Sequence, residues 1–584
     1  MRIPILQTMD ALALQTGPEA SRSDWEKSAA AVLRKSGRIA DDQADSVVWE
    51  KLTRRTLDGI VISPLGTPEL LADLVTQGRP TRVGSWDVRA SYAEAAGPAA
   101  RDAILTDLEN GVTSIWLEVG AHGLPVSELA TALQGVLLDV APVVLDAPRD
   151  EVAAANAFAE IARGTVLALG TNLGADPIGA HLRGYGDVDM SVVAPVAALA
   201  TELGCRAFVA DGSALHDRGA SDVQELGYTL AVATSYLRFL VGGGYSVDDA
   251  AALIELRLAA TDDQFPTIAK FRAVRRLWAR VLELSGAQER ESAVHAVTSR
   301  PMMTKYDPWV NMLRTCVASF AAGVGGADAV TVLPFDSALG LPDAFSRRIA
   351  RNTSAVLIDE SHVAKVTDPA GGSYLVERLS DDLAVAAWAE FGDLDAGGLS
   401  ETGGGLRERV AAISAEREAQ VANRKRPITG ISEFPNLNES LPKRRPYADG
   451  RPTVTGYGHA FEALRDAPVA ESVFLATMGT VAEHTARATF ASNLFAAGGI
   501  DVVNEGRHDD IEAVLAHYRG ERVVCLTGTD AAYAAWGTAL ADALREGGAR
   551  HVIVAGKPLD GADDNCAMGL DALDFLNRTR EKLA

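Results

Sequence analysis

Cysteine is scarce in this chain of 584 residues, which has only Cys205, Cys316, Cys525 and Cys566. These four stand too far apart for a CxxC pair or a disulfide framework, which points to a reducing cytoplasm. Positive charge is also short, with 55 Lys and Arg against 78 Asp and Glu and a formal net charge of −23. Such a balance excludes a nucleic-acid backbone or an anionic membrane surface as partner, except through a local basic patch. No charged segment followed by an apolar one opens the chain, so no leader is expected. The longest apolar stretches, such as Val192–Ala200 and Leu383–Ala389, fall far below the roughly 18–20 residues of a membrane span. Missing too are GxGxxG after a strand, GxxxxGK[ST], GxSxG and HExxH, and with them the common nucleotide, phosphate, acyl-transfer and zinc signatures. Aromatic residues make up only 6% of the chain, but 47% is hydrophobic and 23% charged, an ordinary soluble globular composition.

What is present is a pattern of short apolar runs alternating with helical stretches. Strands are expected at Thr81–Asp87, Thr113–Val119, Pro142–Asp146, Thr165–Leu169, Arg206–Asp211, Ala252–Ala260, Ser292–Thr298 and Ala329–Pro334, with helices between them. Eight such units over about 250 residues predict a TIM barrel. Before it, residues 1–80 read as an arm with a mixed-charge helix around Trp25–Arg38. The barrel with its closing helices runs over 81–391, and residues 392–460 read as a linker rich in Gly, Arg and Pro, with Gly403–Gly405 and Lys443-Arg444-Arg445-Pro446. From 461 to 584 the alternation returns, with strands at Val473–Thr477, Asp501–Asn504, Arg522–Leu526 and His551–Ala555. This second pattern predicts a doubly wound α/β domain of flavodoxin-like size, in which ligands bind at the strand C-termini.

Barrels of this kind place their chemistry at the same end of their strands. Asp87, Glu118, Asp146, Asp211, Asp262 and Asp263 are expected there. Carboxylates in such a cluster hold a divalent metal or do acid–base work, or else cap helices and solvate loops. The basic run at Lys443 reads either as a phosphate patch or as a solvated linker.

A set of ordered motifs narrows the reading. These are Phe271-Arg272-Ala273-Val274-Arg275-Arg276-Leu277-Trp278, Thr298-Ser299-Arg300-Pro301, Asp307-Pro308-Trp309-Val310-Asn311-Met312-Leu313-Arg314-Thr315, Ser346–Thr353 and Asp368–Glu377. Together they resemble the adenosylcobalamin-dependent acyl-CoA mutases, specifically methylmalonyl-CoA mutase, from about Asp58 to the C-terminus. The resemblance implies a barrel that threads an acyl-CoA and a C-terminal domain that holds cobalamin. Catalytic chains of the family open that domain with Asp-x-His-x-x-Gly, whose His ligates cobalt while the Asp orients the imidazole. Of the ten histidines, only His181, His216 and His517 have glycine three residues on, and two residues before them stand Gly179, Ala214 and Leu515. On the family pattern, the Asp, His and Gly positions fall on Val481, Glu483 and Ala486, and His484, one position off, reads as a surface histidine. Later turns are altered as well, to Thr527-Gly528-Thr529 and Ala555-Gly556.

In the barrel, the family's substrate-contacting Tyr-His pair falls on Ser213 and Ala214, with His216 two positions beyond its register. The Arg-x-Tyr-Ala-Gly-Phe-Ser segment is missing near Gly84–Ser91, and an acidic mouth would repel the phosphates of CoA. No catalytic, cofactor-binding or metal-ligating residue is therefore expected on this chain. It resembles the small subunit of heterodimeric methylmalonyl-CoA mutase, and Pro427–Leu437 looks like a segment typical of that subunit. This implies a silent chain in the cytoplasm, paired with a homologous large subunit. The partner would bind adenosylcobalamin and interconvert (R)-methylmalonyl-CoA and succinyl-CoA. The alternatives are a divergent acyl-CoA mutase and an acyl-CoA-sensing subunit.

Overall fold

The computed structural model describes residues 21–75, 81–397 and 405–584. The start of the expected arm, its last five residues and Gly403-Gly404 of the Gly-rich stretch lie outside them. Among the described residues, no helix is long and apolar enough to cross a membrane.

The described part of the arm begins with the helix Arg22–Lys35, started by a capping box in which Ser21 and Asp24 satisfy each other's backbone N–H. Its apolar face forms a small core of its own, where Ala30, Leu33, Ile39 and Val48 pack beside Trp25 and Trp49. A short antiparallel pair follows, β1 (Arg54–Arg55) and β2 (Val61–Ile62).

Eight strands then close a parallel barrel: β3 (Asp87–Tyr92), β4 (Ser114–Glu118), β5 (Val143–Asp146), β6 (Asn172–Ala175), β7 (Arg206–Asp211), β8 (Ile254–Ala260), β9 (Ala293–Thr298) and β10 (Ala329–Thr331). This is the TIM barrel expected from the alternation, and six strands fall where they were expected. Two do not. The first was expected at Thr81–Asp87 and lies one strand-length later, because Arg82 is used to cap a neighbouring helix, donating to the carbonyls of Ala327 and Gly323. The fourth was expected at Thr165–Leu169, whose Val166 and Leu169 are instead 86% and 90% exposed. Its real strand contains Gly174, at φ +70°, where a Cβ would sit 1.7 Å from the carbonyl oxygen of Leu145. Only glycine fits there.

The motifs that carried the resemblance are joined to one another in space. Arg272 pairs with Glu377 at 2.7 Å and with Asp368, tying the helix Gln264–Leu284 to the helix Tyr374–Gly397. Arg347 and Arg351 both hold the buried Asp107. Arg314 donates to the carbonyl of Thr429 at 2.7 Å, and Arg465 to that of Gly430 at 3.0 Å. The segment Pro427–Leu437 is thus pinned between barrel and C-terminal domain. The expected linker is more ordered than its composition implies, because it contains the helix Leu406–Ala422.

The C-terminal sheet has five parallel strands, β11 (Val473–Thr477), β12 (Val502–Val503), β13 (Val523–Thr527), β14 (His551–Ala555) and β15 (Asp564–Cys566), in the order β12-β11-β13-β14-β15. That order is flavodoxin-like. The fifth strand was not expected, since its sequence Asp564-Asn565-Cys566 carries no β signal.

The barrel axis is occupied by charge. Arg89 of β3 donates to Glu255 of β8 at 3.0 Å, with side chains only 2% and 3% exposed. Removing one member leaves an uncompensated buried charge, which costs about 3–5 kcal/mol, whereas replacing both by apolar groups does not. Arg89→Met is therefore expected to lower stability to denaturant by about that amount, and Arg89→Met with Glu255→Leu to recover most of it.

Candidate functional site

The site is built from the axis upward. Above the Arg89–Glu255 pair, the ring of His295 lies edge-on to Trp116 at 5.4 Å. Arg257 donates from Nε to His295 Nδ1 at 3.1 Å and stacks over Trp116 at 4.3 Å. Nδ1 is thus the acceptor, and the ring proton sits on Nε2, facing Thr331 Oγ1 at 2.8 Å. Burial, then the charges of Arg89, Arg257 and Arg300, hold the imidazole well below its ordinary pKa, so it is neutral. Arg257 next reaches Asp211 at 3.3 Å. Sequence reasoning missed Arg89, Arg257 and His295. The signal was there, since Glu255 and Arg257 alternate within Ile254–Leu258, a strand buried at every position.

At the mouth, Glu118, Asp146 and Asp211 end β4, β5 and β7 as expected. Each meets an arginine rather than another carboxylate. Arg183 grips Asp146 with two bonds of 2.8 and 2.9 Å. Burial alone would raise the Asp146 carboxyl, but Arg183, Arg257 and Arg300 bring it below its ordinary value. Arg451 holds Glu118 at 2.8 Å. Asp262 and Asp263 follow β8 and precede the helix Gln264–Leu284. Asp87 is at the opposite end of the barrel, because its strand begins rather than ends there. Among the described residues, no group of three His, Cys, Asp or Glu side chains is arranged to hold a metal ion. The mouth is not acidic, as expected from composition, but a mosaic of arginine–carboxylate pairs.

Ser213 and Ala214 begin the short helix Ser213–His216 directly after β7. Ser213 Oγ donates to Asp211 at 2.5 Å, and the Ala214 methyl faces a cavity of about 910 Å³. His216 turns away from that cavity. Its Nε2 lies 2.7 Å from Ser299 Oγ and 3.3 Å from Tyr457 Oη, and its Nδ1 is 3.6 Å from Glu225, which Lys270 also holds at 2.7 Å.

A strap covers the mouth. The run Lys443-Arg444-Arg445-Pro446 is solvent-exposed except at Arg444, as a linker would be, but its two arginines are paired rather than free. Arg444 pairs with Asp336 and, at 3.1 Å, with Asp343, while Arg445 grips Glu94 with bonds of 2.7 and 2.9 Å. Tyr447 then donates to the carbonyl of Ser337, Arg451 reaches Glu118, and the Tyr457 N–H donates to the carbonyl of Pro301 at 2.7 Å.

In the C-terminal domain, Val481, Glu483 and Ala486 lie on the first turns of the helix Val481–Ala497. Glu483 is committed to its start, accepting from Thr480 N and Thr480 Oγ1 at 2.7 Å each. His484 is not a surface residue, because the helix turns its ring inward toward the Gly479 carbonyl and leaves it 5% exposed. The turns after β11 and β13 are in contact: a Cβ on Gly528 would lie 2.8 Å from that of Met478. Beside them, the Tyr533 hydroxyl accepts from Gly528 N at 2.9 Å and lies 2.8 Å from the Ala555 carbonyl. The two turns that flank the switch point where such sheets bind ligands thus touch each other.

Comparison with known proteins agrees with this architecture. Residues 203–467, from the second half of the barrel through the strap, match the family model for methylmalonyl-CoA mutase. The methylmalonyl-CoA mutase small subunit of Streptomyces virginiae is 44% identical over 97% of this chain and 97% of its own length. A probable small subunit of Mycobacterium tuberculosis (strain ATCC 25618 / H37Rv) is 40% identical over 92% of each. The methylmalonyl-CoA mutase of Escherichia coli (strain K12) is 34% identical, but over 38% of this chain and 32% of its own length. The chain belongs to the methylmalonyl-CoA mutase small-subunit family.

One carboxyl beside the mouth makes a pH test. Asp176 follows β6 and accepts from Tyr236 at 2.5 Å and from Gly179 N at 3.0 Å. Burial, then the nearby Asp211, push its pKa from 3.8 up to about 7. Between these two values the folded state holds a proton that the unfolded state has lost, so this group's stabilisation falls as pH rises through that window. Urea unfolding is expected to show the wild type losing stability between pH 5 and 8. Asp176→Asn, which stays neutral, should lose distinctly less.

Proposed function

We propose that this chain is the catalytically silent member of a heterodimer. Its homologous large partner binds adenosylcobalamin and interconverts (R)-methylmalonyl-CoA and succinyl-CoA. The carrying observation is the barrel axis, where Arg89, Glu255, His295 and Arg257 form a bonded, buried column. An acyl-CoA threaded along that axis would have to displace paired charges from a dry interior. The strap from Arg444 to Tyr457 lies across the same route. Ser213 and Ala214 offer neither a phenol nor an imidazole at the position the family uses, and Ser213 is already bonded to Asp211.

The residues of the C-terminal domain do not fit a cobalamin held through this loop. Glu483 serves as a helix cap, His484 is turned inward, and the turns of Met478 and Gly528 close on each other at the switch point. No catalytic step is assigned to this chain; radical chemistry would be the cofactor's, on the partner. In this reading, residues 1–80 are an arm, 81–391 the barrel, 392–460 the linker and 461–584 a degenerate cobalamin-domain scaffold. The pair works in the cytoplasm through a large interface.

Visible-spectrum titration with adenosylcobalamin tests the reading. The chain purified alone is expected to leave the corrin spectrum unshifted, and the co-expressed pair to bind one equivalent. Stoichiometric binding by this chain alone, or failure to co-purify with a large subunit, would overturn it.

A further inference from the structure

Three imidazoles gather around the end of β11 in the C-terminal domain. His508 lies between β12 and the helix Ile511–His517 and is 1% exposed. His517 ends that helix, and the centroids of the two rings are 5.0 Å apart. His484 comes from the first turns of the helix Val481–Ala497 and is buried. Each ring gives one nitrogen to a backbone carbonyl. His484 Nδ1 lies 3.3 Å from the Gly479 carbonyl, and His517 Nδ1 lies 3.0 Å from that of Ala513. His508 Nδ1 is 3.2 Å from the Thr477 carbonyl and 2.8 Å from Thr477 Oγ1, whose own proton goes to the Gly506 carbonyl. A carbonyl only accepts, so in all three neutral rings the proton sits on Nδ1 and Nε2 is bare.

His508 binds the loop to the sheet twice. Its ring holds Thr477 at the end of β11, and its carbonyl accepts from Gly479 N at 2.8 Å. Its Nε2 is buried with no partner, so a proton arriving there makes a buried cation whose N–H has nothing to bond. The surrounding charges do not compensate it. Glu483 is committed to Thr480, Asp510 caps its own helix by accepting from Ala513 N, and Asp509 pairs with Arg507 at 2.8 Å. Burial, followed by His517 and His484, holds the His508 imidazole below its ordinary pKa of 6.5, against the opposing pulls of the Thr477 bond and the exposed Glu505. A released loop exposes the same ring to water, where it takes up a proton freely. The closed state therefore binds fewer protons than the open one, and its stability is lost as pH falls through the histidine range.

We infer that His484, His508 and His517 form an acid-released latch, which at neutral pH holds residues 504–510 against the turn at residues 478–480. Protonation of the cluster places like charges side by side and breaks the tie between loop and turn. Release frees one side of the sheet end at which such folds bind ligands. The latch rests on the geometry of the C-terminal sheet alone and holds whether or not the chain pairs with a large subunit.

Hydrogen exchange of the full chain at pH 7.5 and 5.5, corrected for the intrinsic effect of pH on exchange, tests the latch. Peptides covering residues 478–480 and 504–510 are expected to lose protection about tenfold or more at the lower pH, the equivalent of one pKa unit. A peptide from β14 should keep its protection. His508→Asn retains a donor where Nδ1 stands and lacks the nitrogen that takes the proton, so it should hold its protection at both pH values. Equal protection of the wild-type loop at the two pH values would overturn the inference, a comparison that needs no variant. So would an acid loss shared equally by β14, which marks general unfolding, or the full acid loss in folded His508→Asn.

Discussion

A carboxylate enclosed in a barrel must be answered by a cation, and that cation must itself be answered. Glu255, 2% exposed on the barrel axis, sets this chain of requirements in motion. Arg89 neutralises it, and His295 stays neutral because burial, and then the neighbouring guanidinium groups, disfavour its charged form. Arg257 then needs Asp211, and the adjoining Asp146 takes Arg183. Arg89, Asp211, His295 and the Glu255–Arg257 pair come from four different strands, so these contacts specify how those strands register around the axis. A buried pair adds little net stability over an apolar core, but a wrong partner is costly. The same column leaves no lumen, and the chemistry open to this barrel follows from it.

Most of the scaffold was legible because it is written in burial. β7, β11 and β14 span the expected residues, since Arg206–Asp211, Val473–Thr477 and His551–Ala555 are apolar runs between clear turns. The two misplaced barrel strands share a cause. Thr165–Leu169 has strong β propensity but no partner, while Asn172–Ala175 has weak propensity and a position in the closed ring. Propensity describes a segment, and closure of the barrel chooses among segments.

At the candidate site, the sequence showed which positions differ from the family pattern but not what the residues there bond to. Val481, Glu483, Ser213 and Ala214 could be read as substitutions for working residues. What they do instead depends on neighbours distant in sequence: Thr480 for Glu483, Asp211 for Ser213. The strand-end carboxylates were found, but their arginines come from a helix end, another strand and the strap, at positions with no periodic relation to them. Charge counted along the chain therefore gave an acidic mouth, whereas charge paired in space gives a balanced one with arginine in excess. Lys443–Pro446 misled for the same reason, because its partners Asp336, Asp343 and Glu94 lie more than ninety residues upstream.

The strap has a mechanical consequence. From Arg444 to Tyr457 it is bonded to the barrel rim, and two residues later it becomes the helix His459–Asp466, whose Phe461 lies in the core beneath the C-terminal sheet. The rim and the sheet are thus two ends of one short tether. Any separation of sheet and rim at this tether has to break the ion pairs of Arg444, Arg445 and Arg451 with three separate parts of the barrel rim. The same short segment therefore carries both the bonds to the rim and the first helix under the sheet.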